Sequence, residues 1–148
     1  MDRNEALRAL DAVDFTEKTM ADRISWPLWF HASFGLAEGL IVTGLASDRA
    51  GMTAVAGGAA IIALLAYHTR KSGVFVSGYR RGRTLPLTMA IIGFLLAAFA
   101  VGMIIINGRP DDLPLAIGLG AFVTLVLTLA SMWWERIYRR ELREGGAA

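Results

Sequence analysis

Four apolar runs cross this sequence, at about 26–46, 51–68, 85–106 and 113–134, and the basic residues avoid every second gap between them. A helix that spans a lipid core needs about 20 predominantly apolar residues. The first, third and fourth runs reach that length. The second, "GMTAVAGGAAIIALLAY", is shorter and rich in Ala and Gly. The charges identify it as a span. Lys and Arg number four before the first run, one in the first gap, five in the second, one in the third and four after the last. Loops rich in Lys and Arg stay on the cytoplasmic side of a membrane. Omitting the second span would put a basic loop on the wrong side. The expected fold class is an all-α membrane protein with four transmembrane helices and with N and C termini cytoplasmic.

The flanking segments extend this layout. Residues 1–25 read as an N-terminal amphipathic cytoplasmic helix, with Ala6, Leu10, Val13, Met20 and Ile24 at near-heptad spacing. The six acids and four bases of this segment oppose a simple role on an anionic lipid surface. Residues 26–134 form the bundle, and 135–148 a cytoplasmic helical tail. The links "SDRA" and "NGRPDD" are short, which makes the helices they join antiparallel neighbours. Trp26, Trp29, Trp133, Trp134, Tyr67, Tyr79 and Tyr138 all fall near the cytoplasmic interface, where amphipathic rings settle. No signal peptide is expected, because the first apolar run follows a long mixed-charge segment and contains Glu38.

The sequence has no cysteine, which excludes disulfides, thiolate metal sites and thiol catalysis. No nucleophile–base pair, nucleotide fingerprint or compact metal motif is readable. Neither a cofactor nor a metal is expected, nor a nucleic-acid partner, and the protein reads as no enzyme. Instead, the chemistry lies in polar groups inside the apolar runs. His31, Gly35, Glu38 and Val42 recur at spacings of 4, 3 and 4, so they share one face of the first span. Gly35, Gly39 and Thr43 add a small-xxx-small pattern beside it, which lets helix backbones approach closely. An acid at mid-membrane costs on the order of 3 kcal/mol on insertion scales, and such a residue is a functional candidate by default.

On the fourth span Thr124, Thr128, Ser131 and Glu135 form a second polar stripe. The candidate ligand or proton site is therefore Glu38, His31, His68, Thr124, Thr128 and Ser131, a small polar pocket in the inner half of the membrane. Glu135 is assigned instead to an i, i+4 surface pair with Arg139. Arg70, Lys71, Arg80, Arg81 and Arg83, in the long basic loop and at its edges, are candidates for contact with lipid headgroups or a partner.

Several fragments together carry a resemblance: "ADR" (Ala21–Arg23), Trp29-Phe30 ahead of His31, Ala66-Tyr67 leading into basic residues, and "GVFVSGYRRGRT" (Gly73–Thr84). They resemble an uncharacterised family of small bacterial, often actinobacterial, four-helix integral membrane proteins. The chain departs from that pattern where Ala32 stands in place of a proline after His31. The resemblance implies the four-span layout and the bacterial cytoplasmic (inner) membrane, and no known activity. The expected role is an oligomeric accessory or interaction module, with membrane lipids and further copies, or another membrane or cytosolic protein, as partners. The alternative is a small proton-coupled transporter or ligand-binding bundle that uses Glu38.

Overall fold

The computed structural model describes residues 25–47, 50–72, 82–109 and 112–144, with seven isolated positions before them. Most of the amphipathic helix expected over 1–25, together with Tyr79, Arg80 and Arg81, lies outside the described residues. Four helices are long and apolar enough to cross a membrane. They are α1 (Leu28–Ala46), α2 (Ala50–Ser72), α3 (Leu85–Ala100), which reaches spanning length only with the helical turn that continues it to Ile106, and α4 (Asp112–Arg143). The chain forms an α-helical bundle, and all regular structure among the described residues is helical.

Prolines set several of the starts. Pro27 precedes α1, its carbonyl accepting from the Phe30 N–H at 2.9 Å. Pro86 and Pro114 sit in the first turns of α3 and α4, where a missing N–H costs nothing. The end of α3 widens into a π-helical turn, Val101–Ile106, closed by the Asn107 N–H on the Gly102 carbonyl at 2.9 Å. Gly102 thereby lies against Ala46 of α1, where an added Cβ would come within 3.1 Å of the Ala46 Cβ. The turn that follows needs Gly108, whose φ of 82° side chains rarely adopt.

α1 is the central helix, packing along its length on α4 on one side and α2 on the other. α3 lies on α4 and reaches α1 chiefly through its π-turn, and among the described residues α2 and α3 share at most a weak contact. The α1–α4 contact is glycine-based. A Cβ on Gly35 would lie 2.6 Å from the Thr124 carbonyl, and one on Gly39 would lie 2.5 Å from the Gly120 carbonyl. The stripe Ala116, Gly120, Thr124 and Thr128 of α4 is thus the counterpart of Gly35, Gly39 and Thr43. Neighbouring Val42, Val123, Leu127 and Ala98 are buried as one cluster that joins α1, α4 and α3. The α1–α2 contact is similar on a smaller scale, Gly57 pressing on Ala37 and Ile41, and Gly44 on Thr53. In lipid, where apolar burial does not drive helices together, such close backbone approach supplies much of the association.

α4 has 32 residues, about 48 Å at 1.5 Å each. That exceeds a hydrocarbon core of about 30 Å, so the last turns of α4 stand beyond it at the basic end. There Arg83, just before α3, pairs with Glu144, which also accepts from Arg140 Nε at 2.8 Å. Arg140 first, and Arg83 next, hold the Glu144 carboxyl below its ordinary value. A depressed folded-state pKa means that this latch acts fully above the ordinary value and is lost as pH falls through the lowered one. The Glu144 amide, bonded to the Arg140 carbonyl at 3.0 Å, is expected to lose hydrogen-exchange protection as pH falls below the ordinary glutamate range, and at high salt. Protection indifferent to both would show that the latch carries no weight.

Candidate functional site

The polar residues assemble at the basic end of the bundle, around His31. This side chain projects from the first turn of α1 toward α4 and is 2% exposed. Its Nδ1 lies 2.8 Å from Ser131 Oγ and its Nε2 lies 2.9 Å from Glu135 Oε2. The two partners sit one turn apart on α4, so a single imidazole bridges them. With the carboxylate accepting, Nε2–H donates and Nδ1 accepts the Ser131 hydroxyl proton. Glu135 Oε1 in turn accepts the Trp26 backbone N–H at 3.3 Å and lies 3.6 Å from Arg139 Nη1. The carboxylate therefore ties together the chain segment before α1, the α1 helix itself and the α4 extension. Glu135 stands 23 residues beyond Asp112, about 35 Å along α4. A hydrocarbon core is about 30 Å thick, so in a membrane-spanning α4 this position falls at or past its edge, where a carboxylate is less costly than at the centre.

Aromatic rings roof the pair. Trp26 stacks on Trp134 (6.0 Å between centroids, 5° between planes), and Trp134 stacks on Tyr138 (5.0 Å, 15°). The Trp134 indole N–H donates to Thr88 Oγ1 of α3 at 3.0 Å, and Thr88 donates to the Thr84 carbonyl at 3.1 Å. The expected interfacial belt is thus divided. Trp29, Tyr67 and Trp133 are exposed, whereas Trp134 and Tyr138 are buried and form an internal stack. Stacking on the neighbouring indole explains the difference, because the ring faces find protein before they find headgroups.

The candidate residues read from the sequence separate into four groups. His31 and Ser131 meet, as described. Thr124 and Thr128 do not join them, because each hydroxyl donates to its own helix, to the Gly120 carbonyl at 2.9 Å and the Thr124 carbonyl at 2.7 Å. Their role is to fill the notches at Gly39 and Gly35. His68 sits against the rings of Trp26 and Phe30, 5.3 Å from each, and forms the α2 wall of the roof. Glu38 is apart from all of these. It lies seven residues, about 10 Å, deeper in α1 than His31. At 100° per residue it falls between the side that meets α4 (His31, Gly35, Val42) and the side that meets α2 (Ala37, Ile41), opposite the exposed Leu36 and Leu40. It thus faces the gap between α2 and α3. It is half-buried, and among the described residues it has neither a hydrogen bond nor an ion pair.

Glu135 is the functional group that the charge pattern concealed. Its spacing of four from Arg139 satisfies a surface pair, and the structure does keep that contact. The signal that it turns inward is its place in the stripe Thr124, Thr128, Ser131, Glu135, whose face meets α1 throughout.

Ser131, His31 and Glu135 have the connectivity of a nucleophile, a base and an orienting acid. Their setting differs from such a site. Ser131 is mid-helix, its neighbouring backbone N–H groups are bonded within α4, and among the described residues no free donors converge on it as an oxyanion hole would require. No family model matches the chain, and no curated protein and no solved structure is significantly similar to it.

Proposed function

We propose that this protein is a non-enzymatic multi-pass protein of the bacterial inner membrane that works as an oligomeric accessory or interaction module. The observation that carries this reading is the contrast between its two intramembrane sets of polar groups. His31, Ser131 and Glu135 satisfy one another in a closed cluster and act as a clamp that fixes the basic end. Glu38, deeper and on an open side, has no partner of its own among the described residues. A lone acid facing lipid is costly, and an adjoining helix entering the gap between α2 and α3 would supply its hydrogen bond. That helix belongs to a second copy or to a membrane partner. The rigid, charge-studded end held by the clamp then lies on the cytoplasmic side, suited to contact with soluble proteins.

An interhelical polar contact in a membrane contributes about 0.6–2 kcal/mol. Glu38→Leu is therefore expected to weaken self-association about 3- to 30-fold, read as the monomer fraction by native mass spectrometry across a detergent dilution series. Glu38→Gln, which keeps a donor and an acceptor, is expected to retain most of it. Equal oligomer populations in all three proteins would overturn the reading.

The same residue favours a second reading, a small proton-coupled transporter or ligand-binding bundle, since an open, unpaired intramembrane acid can exchange a proton with a cargo. In that case Glu38→Gln abolishes pH-dependent flux or binding in proteoliposomes while leaving the oligomer intact.

A further inference from the structure

The outer face of α2, turned away from α1, carries a shallow trough of about 540 Å³ lined by Ala63, Ala66, Tyr67, Arg70 and Lys71. We infer that this trough is a binding site for one anionic phospholipid, with the phosphate held by Arg70 and Lys71 and an acyl chain lying over the two alanines. The site goes beyond the role proposed above and does not depend on it.

Three features point to this occupant. First, the polarity is graded along the helix. The floor is methyl-sized and apolar, and the cations come only in the last turn of α2. From Ala63 to Lys71 is about 12 Å of helix, less than the roughly 15 Å of a single leaflet. A headgroup and the first part of its chain therefore fit along it in one direction only. Second, both cations are exposed, and neither has a carboxylate partner among the described residues. Lys71 Nζ stands 5.9 Å above the Tyr67 ring, which turns the ammonium toward the trough. Arg83, by contrast, is taken up by Glu144. Third, a second copy suits this face poorly. It would bring its own Arg70 and Lys71 to the same depth. Of the carboxylates at that end of the bundle, Glu135 is bonded to His31, Glu144 to Arg83 and Arg140, and Glu141 is buried. Only acids of the N-terminal segment, such as the exposed Asp2 and Glu5, remain as a protein counter-charge.

The test uses the full chain in phosphatidylcholine nanodiscs with and without phosphatidylglycerol, reading lipids retained on the protein by native mass spectrometry. Each basic side chain near an anionic surface raises affinity about five-fold, so the pair contributes about thirty-fold. Arg70→Gln with Lys71→Gln is expected to remove the preference for phosphatidylglycerol by about that factor. Arg136→Gln, an exposed cation on α4 away from the trough, is expected to leave the preference unchanged, because a lipid held in the trough does not reach it. Equal losses at Arg136 and at Arg70 would show a general surface potential and overturn the site. Because the chain lacks cysteine, Ala63→Cys provides a single thiol. Disulfide-linked dimers through it, with no lipid preference in the parent protein, would assign the face to a second copy and overturn the inference equally.

Discussion

Replacing Glu135 with alanine is expected to cost about 3–5 kcal/mol, because each buried donor left without its charged acceptor costs about 1–3 kcal/mol. Three groups lose their acceptor at once: His31 Nε2, the Trp26 amide and Arg139. The imidazole, 2% exposed, has no water to turn to. Glu135→Gln keeps one carbonyl acceptor and is expected to cost less, on the order of 1–3 kcal/mol. His31→Phe combined with Glu135→Leu removes both polar partners and restores much of the loss, since apolar replacement of a buried pair is often neutral. Reversible unfolding in mixed micelles measures the four corners of this cycle. Additive single-site effects would mean that the two residues do not act as a pair.

A comparable loss is expected at the helix contact. Gly39→Leu drives a side chain into the Gly120 carbonyl and the Thr124 side chain, and backbone cannot yield as a flexible side chain does. Overpacking costs about 1–3 kcal/mol where side chains can adjust, and here α1 and α4 must separate. The expected result is the loss of a stable bundle, seen as a drop in the unfolding midpoint and in α1–α4 cross-linking. Gly58 and Gly93 provide the contrast. A Cβ at either meets nothing within 4 Å, so alanine there is expected to be neutral or to stabilise by up to about 1 kcal/mol through helix propensity. Equal sensitivity at all three positions would contradict the assigned helix order.

The four apolar helices were legible in the sequence because length and hydropathy act locally. The face Gly35, Gly39, Thr43 was legible as well, since spacing alone places small residues in register. Its counterpart on α4 was only half read. Thr124 and Thr128 stood out as polar, whereas Ala116 and Gly120 passed as ordinary membrane residues until Gly39 was seen against them. The His31–Glu135 bond joins positions 104 residues apart, and no periodicity within one helix encodes which face of another it meets. The nearer acid, Glu38, shares a face with His31 by spacing. A separation of seven residues nevertheless places the two carboxyl and imidazole groups two turns apart, too far for contact. The aromatic stack was missed for a related reason. Trp26 and Trp134 carry the same interfacial signature as Trp29 and Trp133, and only the packing of α4 beside the start of α1 separates the pairs.

The most direct test of the proposed role is a dipolar electron-spin measurement on a single nitroxide at Leu40→Cys, on the exposed face of α1 away from Glu38. With no native thiol in the chain, one label per copy reports only distances between copies. In liposomes the expected result is a defined intermolecular distance that disappears on dilution with unlabelled protein and weakens in Glu38→Leu. A signal with no intermolecular component at any protein-to-lipid ratio would contradict the oligomer and leave Glu38 to a ligand or a proton.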